Sequence, residues 1–178
     1  MKARRIVRAW QNLKDRWWTW RFRKHCSSVE RGLCVLGPCE VNAEGTMTVG
    51  EGLVIRSRKH NRVEVTVARS GALRVGKNVF LNQGTRIACS LEISIGDNTL
   101  IGDESVILDS DYHGVGASST KAAPVRIESD VWIATRVIVL RGVTIGQGSV
   151  IGAGSVVTKS IPPRVFAAGA PARAIKSI

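Results

Sequence analysis

The sequence predicts an all-β solenoid of triangular coils, entered through an amphipathic α-helix. From residue 127 an aliphatic side chain returns at every sixth position without a miss, as Ile127, Ile133, Val139, Ile145, Ile151 and Val157. The composition sets 18 glycines against three Phe and one Tyr, which suits many tight turns around a core without large aromatics. The helix is predicted because Met1 to Lys24 carries four of the five tryptophans and nine of the 26 Lys+Arg residues, but a single acid, Asp15.

A period of six fits neither a 3.6-residue helix nor the alternation of a hairpin ladder. It fits one short strand plus one turn, three of which close a coil of about 18 residues that stacks on the next. Small or turn-forming residues follow several of the aliphatics (Ala134, Gly146, Gly152, Thr158), and Val131, Val137, Val143, Ser149 and Ser155 hold the place four residues on. Each aliphatic stacked inside contributes about 1.5–3 kcal/mol, so the interior holds together without Phe or Tyr. Upstream the register recurs as Val75, Leu81 and Ile87 and, after a two-residue slip between Leu91 and Ser94, as Ile95, Ile101 and Ile107. Val35, Val41 and Met47 begin it, with Val49 and Ile55 following a similar slip. Val63 to Val67 alternates like an ordinary strand, which predicts irregular early coils. The repeat breaks between Leu108 and Arg126, where the chain leaves the column; long loops on a rigid scaffold are seldom there for stability.

The 178 residues fit one domain. The expected parts are a basic helix over 1–25, the solenoid over 26–165 with its excursion at 108–126, and a tail over 166–178. Within the helix, Ile6, Trp10, Leu13, Trp17 and Trp20 follow a spacing that places them on one face. Such a face bordered by Lys and Arg suits an anionic membrane surface. The same spacing suits docking on the domain or on a sister subunit. Of the net charge of +12, most sits before residue 25, leaving 17 basic and 13 acidic residues in the body. That balance argues against a nucleic-acid surface spread over the fold, so no nucleic-acid partner is expected. No run approaches about 18 consecutive apolar residues, and the basic N-terminus lacks the apolar stretch of a secretory signal. A cytoplasmic protein, peripheral on the inner face of the membrane, is expected. Cys26, Cys34, Cys39 and Cys89 lack zinc-site spacing and read as reduced thiols. With His25 in the helix, His60 and His113 leave too few imidazoles for a three-histidine zinc site, so no metal is expected.

The run from Val143 to Pro163 and the segment Ala168-Gly169-Ala170-Pro171-Ala172-Arg173 resemble the hexapeptide-repeat acyltransferases, above all the galactoside, maltose and nodulation-type sugar O-acetyltransferases. The likeness spans 75–178 and is strongest over 125–175. It implies a left-handed parallel β-helix with triangular coils, a homotrimer with active sites between subunits, acetyl-CoA as co-substrate, and a sugar or lipid-linked saccharide as acceptor. By the resemblance, His113 matches the family's catalytic histidine and Asn82 the asparagine that hydrogen-bonds the acceptor. Thr135, Ala153, Thr158, Lys159 and Arg173 match coenzyme A contacts, the tail contributing to that site. Lys176 stands where relatives often carry Arg. Trp132 either walls the active site or caps a coil. The N-terminal acceptor segment of the maltose-type enzymes is not recognisable here, which leaves the acceptor open.

Acetyl transfer from a thioester to a hydroxyl needs a base for the hydroxyl proton, donors for the developing oxyanion and a slot for the acyl carrier. Among three histidines, His113 alone sits in the repeat-breaking loop, and Asp109 and Asp111 just before it are placed to orient the ring or favour its protonated form. Direct transfer with both substrates bound is expected, without an acetylated cysteine. Arg56, Arg58, Lys59 and Arg62 form a second basic cluster around His60, either a solvated loop or a contact for an anionic acceptor. The function expected is an acetyl-CoA-dependent O-acetyltransferase of a sugar, in surface polysaccharide or lipopolysaccharide synthesis. Serine, amino-sugar or antibiotic acceptors, and a non-catalytic scaffold, are the alternatives.

Overall fold

A computed structural model describes residues 2–111, 113 and 121–178, with side chains from Leu13 onward. The side chains of Ile6 and Trp10, and residues 112 and 114–120 of the excursion, lie outside the described residues.

The chain opens with α1 (Lys2–Arg23), a segment without Gly or Pro whose last turn carries Arg21 and Arg23, favourably placed against the negative end of the helix dipole. Six coils follow. They are β1 (Ser28–Val29), β2 (Cys34–Leu36) and β3 (Cys39–Ala43); β4 (Thr46–Val49), β5 (Val54–Arg56) and β6 (Val63–Val67); β7 (Ala72–Val75), β8 (Phe80–Leu81) and β9 (Arg86–Cys89); β10 (Glu92–Ile95), β11 (Leu100–Ile101) and β12 (Val106–Leu108); β13 (Val125–Ile127), β14 (Trp132–Ile133) and β15 (Ile138–Val139); and β16 (Thr144–Ile145), β17 (Val150–Ile151) and β18 (Val156–Val157). A closing β19 (Val165–Gly169) stacks parallel on β17, and β20 (Ala172–Ser177) folds back antiparallel on it. The first, second and third strands of successive coils form three parallel sheets, the faces of a prism. The coils wind left-handed, against the usual right-handed preference of parallel crossovers.

The predicted period is the stacking period. On the second face Val35, Ile55, Leu81, Ile101, Ile133, Ile151 and Ala167 sit one above another, all buried. Register pairs Arg126 with Thr144, eighteen residues on, but Ala72 with Glu92, twenty on, and Thr46 with Ala72, twenty-six on. Every insertion is even. Because strand side chains alternate, an even slip keeps the inward residue inward, and an odd one would turn the strand inside out. Part of the excess in the second coil is a small turn in which Arg58 and Asn61 exchange backbone hydrogen bonds. The early coils are irregular in length, as expected, but keep the inward register. Val63 to Val67 alternates because β6 is a longer third-face strand, with Val63, Val65 and Val67 turned inward. The sequence boundary between 165 and 166 falls within β19, so the second face continues to Gly169.

Coils approach closely at their corners. A Cβ on Gly102 would lie 2.6 Å from the Ala134 carbonyl carbon, whereas one on Gly154 meets nothing within 4 Å. Gly102→Ala is expected to cost about 1–3 kcal/mol through backbone displacement and to lower Tm by about 2–4 °C per kcal/mol. Gly154→Ala, at φ +71, carries only the left-handed penalty of about 1 kcal/mol. Thermal unfolding of both variants checks the ordering; equal Tm values would contradict the corner contact.

Of the two uses expected for the Trp-rich stripe, docking on the chain's own domain is not the one seen. Phe22 is buried, Trp18 is half-buried against the core, and the Thr19 hydroxyl accepts the Val35 N–H at 3.0 Å. Leu13, Trp17 and Trp20 face away, 59%, 47% and 53% exposed. At 100° per residue the two faces are roughly 170° apart, so the Trp-rich stripe is not the face that packs on the domain. Among the described residues no helix is long and apolar enough to cross a membrane.

Candidate active site

The excursion leaves the prism at the corner between its third and first faces, after β12. Its neck is tied: Ser110 bridges Ala122, the Asp111 N–H donates to the Lys121 carbonyl at 3.0 Å, and the Ala123 N–H donates to the Asp109 carbonyl at 2.9 Å. His113 stands just beyond this neck, exposed to solvent.

The two aspartates do not serve the imidazole as the sequence suggests. Asp109 is fully buried, and its carboxylate accepts the N–H groups of Ser90 (2.7 Å), Leu91 (2.8 Å) and Glu92 (2.7 Å). It fastens the base of the excursion to the turn one coil below by giving three part-buried backbone donors a charged acceptor. Asp111 meets Arg141 of the next coil, with Oδ2 2.6 Å from Nε. The neck is thus held from both sides along the prism axis.

The other predicted residues fall into three groups. Thr158 and Lys159 follow β18, exposed on the same corner as His113 and two coils above it. Asn82, Thr135 and Ala153 occupy a different corner, between the second and third faces, in the third, fifth and sixth coils. Asn82 is half-buried and its Oδ1 accepts the Gln83 N–H at 3.0 Å. At the same corner Arg136 pairs with Glu104, with Nε 2.7 Å from Oε2. Arg173 and Lys176 are exposed on β20, Lys176 across from Phe166, and the Arg173 Nη1 donates to the Ala172 carbonyl at 2.9 Å. One chain therefore brings His113 together with Thr158 and Lys159, and Asn82 together with Thr135 and Ala153, on separate corners that flank the third face.

Trp132 is 53% exposed on the flat of the second face, so it caps no coil. It belongs to an outward row that reads Val54, Phe80, Leu100, Trp132, Val150 and Phe166 in register. The upper third face is similar, with Val106, Ile138 and Val156 outward, whereas the first face shows Thr48, Arg74, Ser94, Arg126 and Thr144. This asymmetry was readable: the residue just before each inward aliphatic points outward. It is apolar in Phe80-Leu81, Leu100-Ile101 and Trp132-Ile133, and polar in Arg74-Val75, Ser94-Ile95 and Arg126-Ile127.

A second signal also lay in the sequence. After Asp130 there is no acid, but Arg136, Arg141, Lys159, Arg164, Arg173 and Lys176 follow. The first two are paired; the last four make no ion pair among the described residues. The body's excess charge is thus gathered at the end where Lys159, Arg173 and Lys176 lie, and unpaired cations of this kind suit an anionic phosphate-bearing molecule. The cysteines are poor nucleophiles. Burial pushes the Cys26 thiol up to about 11 and the Cys39 and Cys89 thiols up to about 12, with Asp109 adding to the rise at Cys89. Two grooves of about 640 Å³ flank α1 at the opposite end of the prism from Lys159.

Comparison with known proteins places these features in context. Residues 124–159 match the family model for bacterial transferase hexapeptide (six repeats), and 92–117 match the hexapeptide repeat of succinyl-transferase. Galactoside O-acetyltransferase of Escherichia coli is 42% identical over 111 residues, covering 60% of this chain and 54% of that protein. Nodulation protein L of Rhizobium meliloti is 37% identical over 134 residues, covering 73% of this chain and 70% of its own length. The chain spans about half the length of the galactoside enzyme and of a Mycobacterium tuberculosis relative that it also matches. A hexapeptide-repeat acetyltransferase of Vibrio cholerae, crystallised with acetyl-coenzyme A, aligns with a TM-score of 0.57 and 26% identity over 87% of this chain and 73% of that one.

Proposed function

Because the chain belongs to the hexapeptide-repeat acetyltransferases, we propose that it transfers an acetyl group from acetyl-CoA to a hydroxyl of a sugar. The observation that carries the reading is a solvent-exposed imidazole raised on a doubly anchored neck, on the same corner as Thr158 and Lys159. In the proposed reaction His113 takes the proton of the acceptor hydroxyl as its oxygen attacks the thioester carbonyl. A C–O bond forms, the C–S bond breaks, and the imidazolium returns the proton to the departing thiolate. Lys159, Arg173 and Lys176 fit the phosphates of coenzyme A by charge and by their lack of acidic partners, with Thr135, Ala153 and Thr158 lining its path. Thiols held protonated by burial support direct transfer in a ternary complex over a cysteine-linked intermediate.

The proposed unit is a homotrimer whose sites lie between copies. Two features support it. The apolar second and upper third faces suit burial against other copies, while the first face is polar. The residues assigned to one reaction also sit on two corners and, for Trp132, on the second face of a single chain, which supports a site in which a neighbouring copy brings Asn82, Trp132 and Thr135 to His113. The galactoside and nodulation relatives favour a saccharide acceptor. The basic, Trp-bearing α1 supports an acceptor met at an anionic membrane, as lipid-linked precursors of surface polysaccharide are. Release of coenzyme A thiol from acetyl-CoA, followed across free and lipid-linked saccharides, tests the reading. Acceptor-dependent release is expected with a saccharide; release with serine or an amine alone would overturn the sugar assignment, and no release with any acceptor would overturn transfer itself.

A further inference from the structure

The outward face of α1 does not stand alone. The turn at Arg58–Asn61 rises beside it, and together they bound a groove of about 640 Å³ lined by Leu13, Lys14, Trp17, Trp18, Pro38, Lys59 and Arg62. Its floor is aromatic and aliphatic, and its rim is cationic. Lys14 and Lys59 have no carboxylate at ion-pair distance among the described residues, and Arg62 has only an exposed Glu40 at 3.7 Å. Lys14 and the Lys59/Arg62 pair, some forty-five residues apart in sequence, are thereby brought to one surface. Along its crest Leu13, Trp17 and Trp20 are exposed, with the Lys24 Nζ 3.7 Å over the Trp20 ring and the Arg21 guanidinium 5.5 Å over Trp17. Rings beneath cationic heads match the layering of a bilayer interface, where aromatics sit at the glycerol level and ammonium or guanidinium groups reach the phosphates.

We infer that this composite surface docks on an anionic phospholipid bilayer, the Leu13–Trp17–Trp20 crest entering the interface and the groove rimmed by Lys14, Lys59 and Arg62 holding a lipid phosphodiester. A soluble anion would engage the rim but leave the apolar crest uncovered, which is why the bilayer is the occupant. A sister copy would have to cover a surface carrying a large excess of its own positive charge. The inference rests on the membrane reading of α1 above, and it is independent of the acyl-transfer chemistry.

Co-sedimentation of the full chain with phosphatidylcholine vesicles, with and without phosphatidylglycerol, tests it. Wild type is expected to bind the phosphatidylglycerol vesicles at least about tenfold more strongly, and excess inorganic phosphate is expected not to release it beyond the effect of matched ionic strength. Lys59→Glu with Arg62→Glu, exposed positions that leave Tm unchanged, is expected to weaken binding about 10–100-fold. Trp17→Ala with Trp20→Ala is expected to weaken it comparably, without change in oligomeric mass. If the Trp pair matters but the Lys59/Arg62 pair binds as wild type, the composite groove is refuted while the helix reading stands. If wild type ignores phosphatidylglycerol, both fail. If the Trp pair instead dissociates the oligomer, the crest is a contact between copies and the inference is overturned.

Discussion

His113→Ala is expected to lower acetyl transfer about 10²–10⁴-fold, the range for removing a general base, while leaving Tm unchanged. The two halves of that expectation come from separate observations. The side chain is exposed to solvent, so its removal opens no buried cavity. The neck that carries His113 is fixed by Asp109 and Asp111. Steady-state thiol release alongside thermal unfolding checks both halves. The loss should appear mainly in kcat, because the base acts in the transition state and contributes little to substrate binding. Turnover within a factor of about two of wild type would remove His113 from the chemistry, and a large fall in Tm would show that the loss reflects folding.

Asp109→Ala is expected to have the opposite signature. One buried carboxylate accepts three backbone N–H groups at 2.7–2.8 Å, and without it all three part-buried donors lose their partner. Hydrogen bonds to charged groups contribute about 1.5–3 kcal/mol each, and neighbouring ones are not additive, so a loss of about 3–5 kcal/mol is expected. For a domain of this size that is a fall in Tm of roughly 6–20 °C. Activity measured well below Tm should also fall, since the Asp109 segment carries the hydrogen bond that closes the neck under His113. Calorimetry paired with activity at low temperature checks this. Unchanged Tm would mean that water replaces the carboxylate and that the neck is anchored elsewhere.

The two variants also mark what was legible in the sequence. The inward column could be read from Ile127 to Val157 because the period reports a local geometry, one strand and one turn at a time. Even the slip near Leu91 was visible, and its length of two explains why the fold tolerates it. His113 was found because it interrupts the period. The role of Asp109 was not found, because its partners are the backbone N–H groups of residues 90–92, one coil earlier; nothing about an Asp in a loop says which donors lie beneath it. Which face of α1 packs on the domain was left open for a related reason. Its sequence carries two apolar lines, Leu13-Trp17-Trp20 and Trp18-Phe22, and periodicity identifies faces without saying which one the domain covers. The outward rows and the acid-free stretch after Asp130 were readable in principle, from the residue before each inward aliphatic and from a running charge count.

In the proposed homotrimer the residues on the corner with His113 and those on the corner with Asn82 work together only across copies. Mixing two inactive variants tests it most directly: His113→Ala, and Asn82→Ala combined with Thr135→Arg, refolded together in equal amounts. If each site joins one corner from each of two copies, random assembly pairs two intact corners at about one junction in four, so activity should return to roughly a quarter of wild type. A mixture no more active than the average of its two components would mean that each chain builds its site alone.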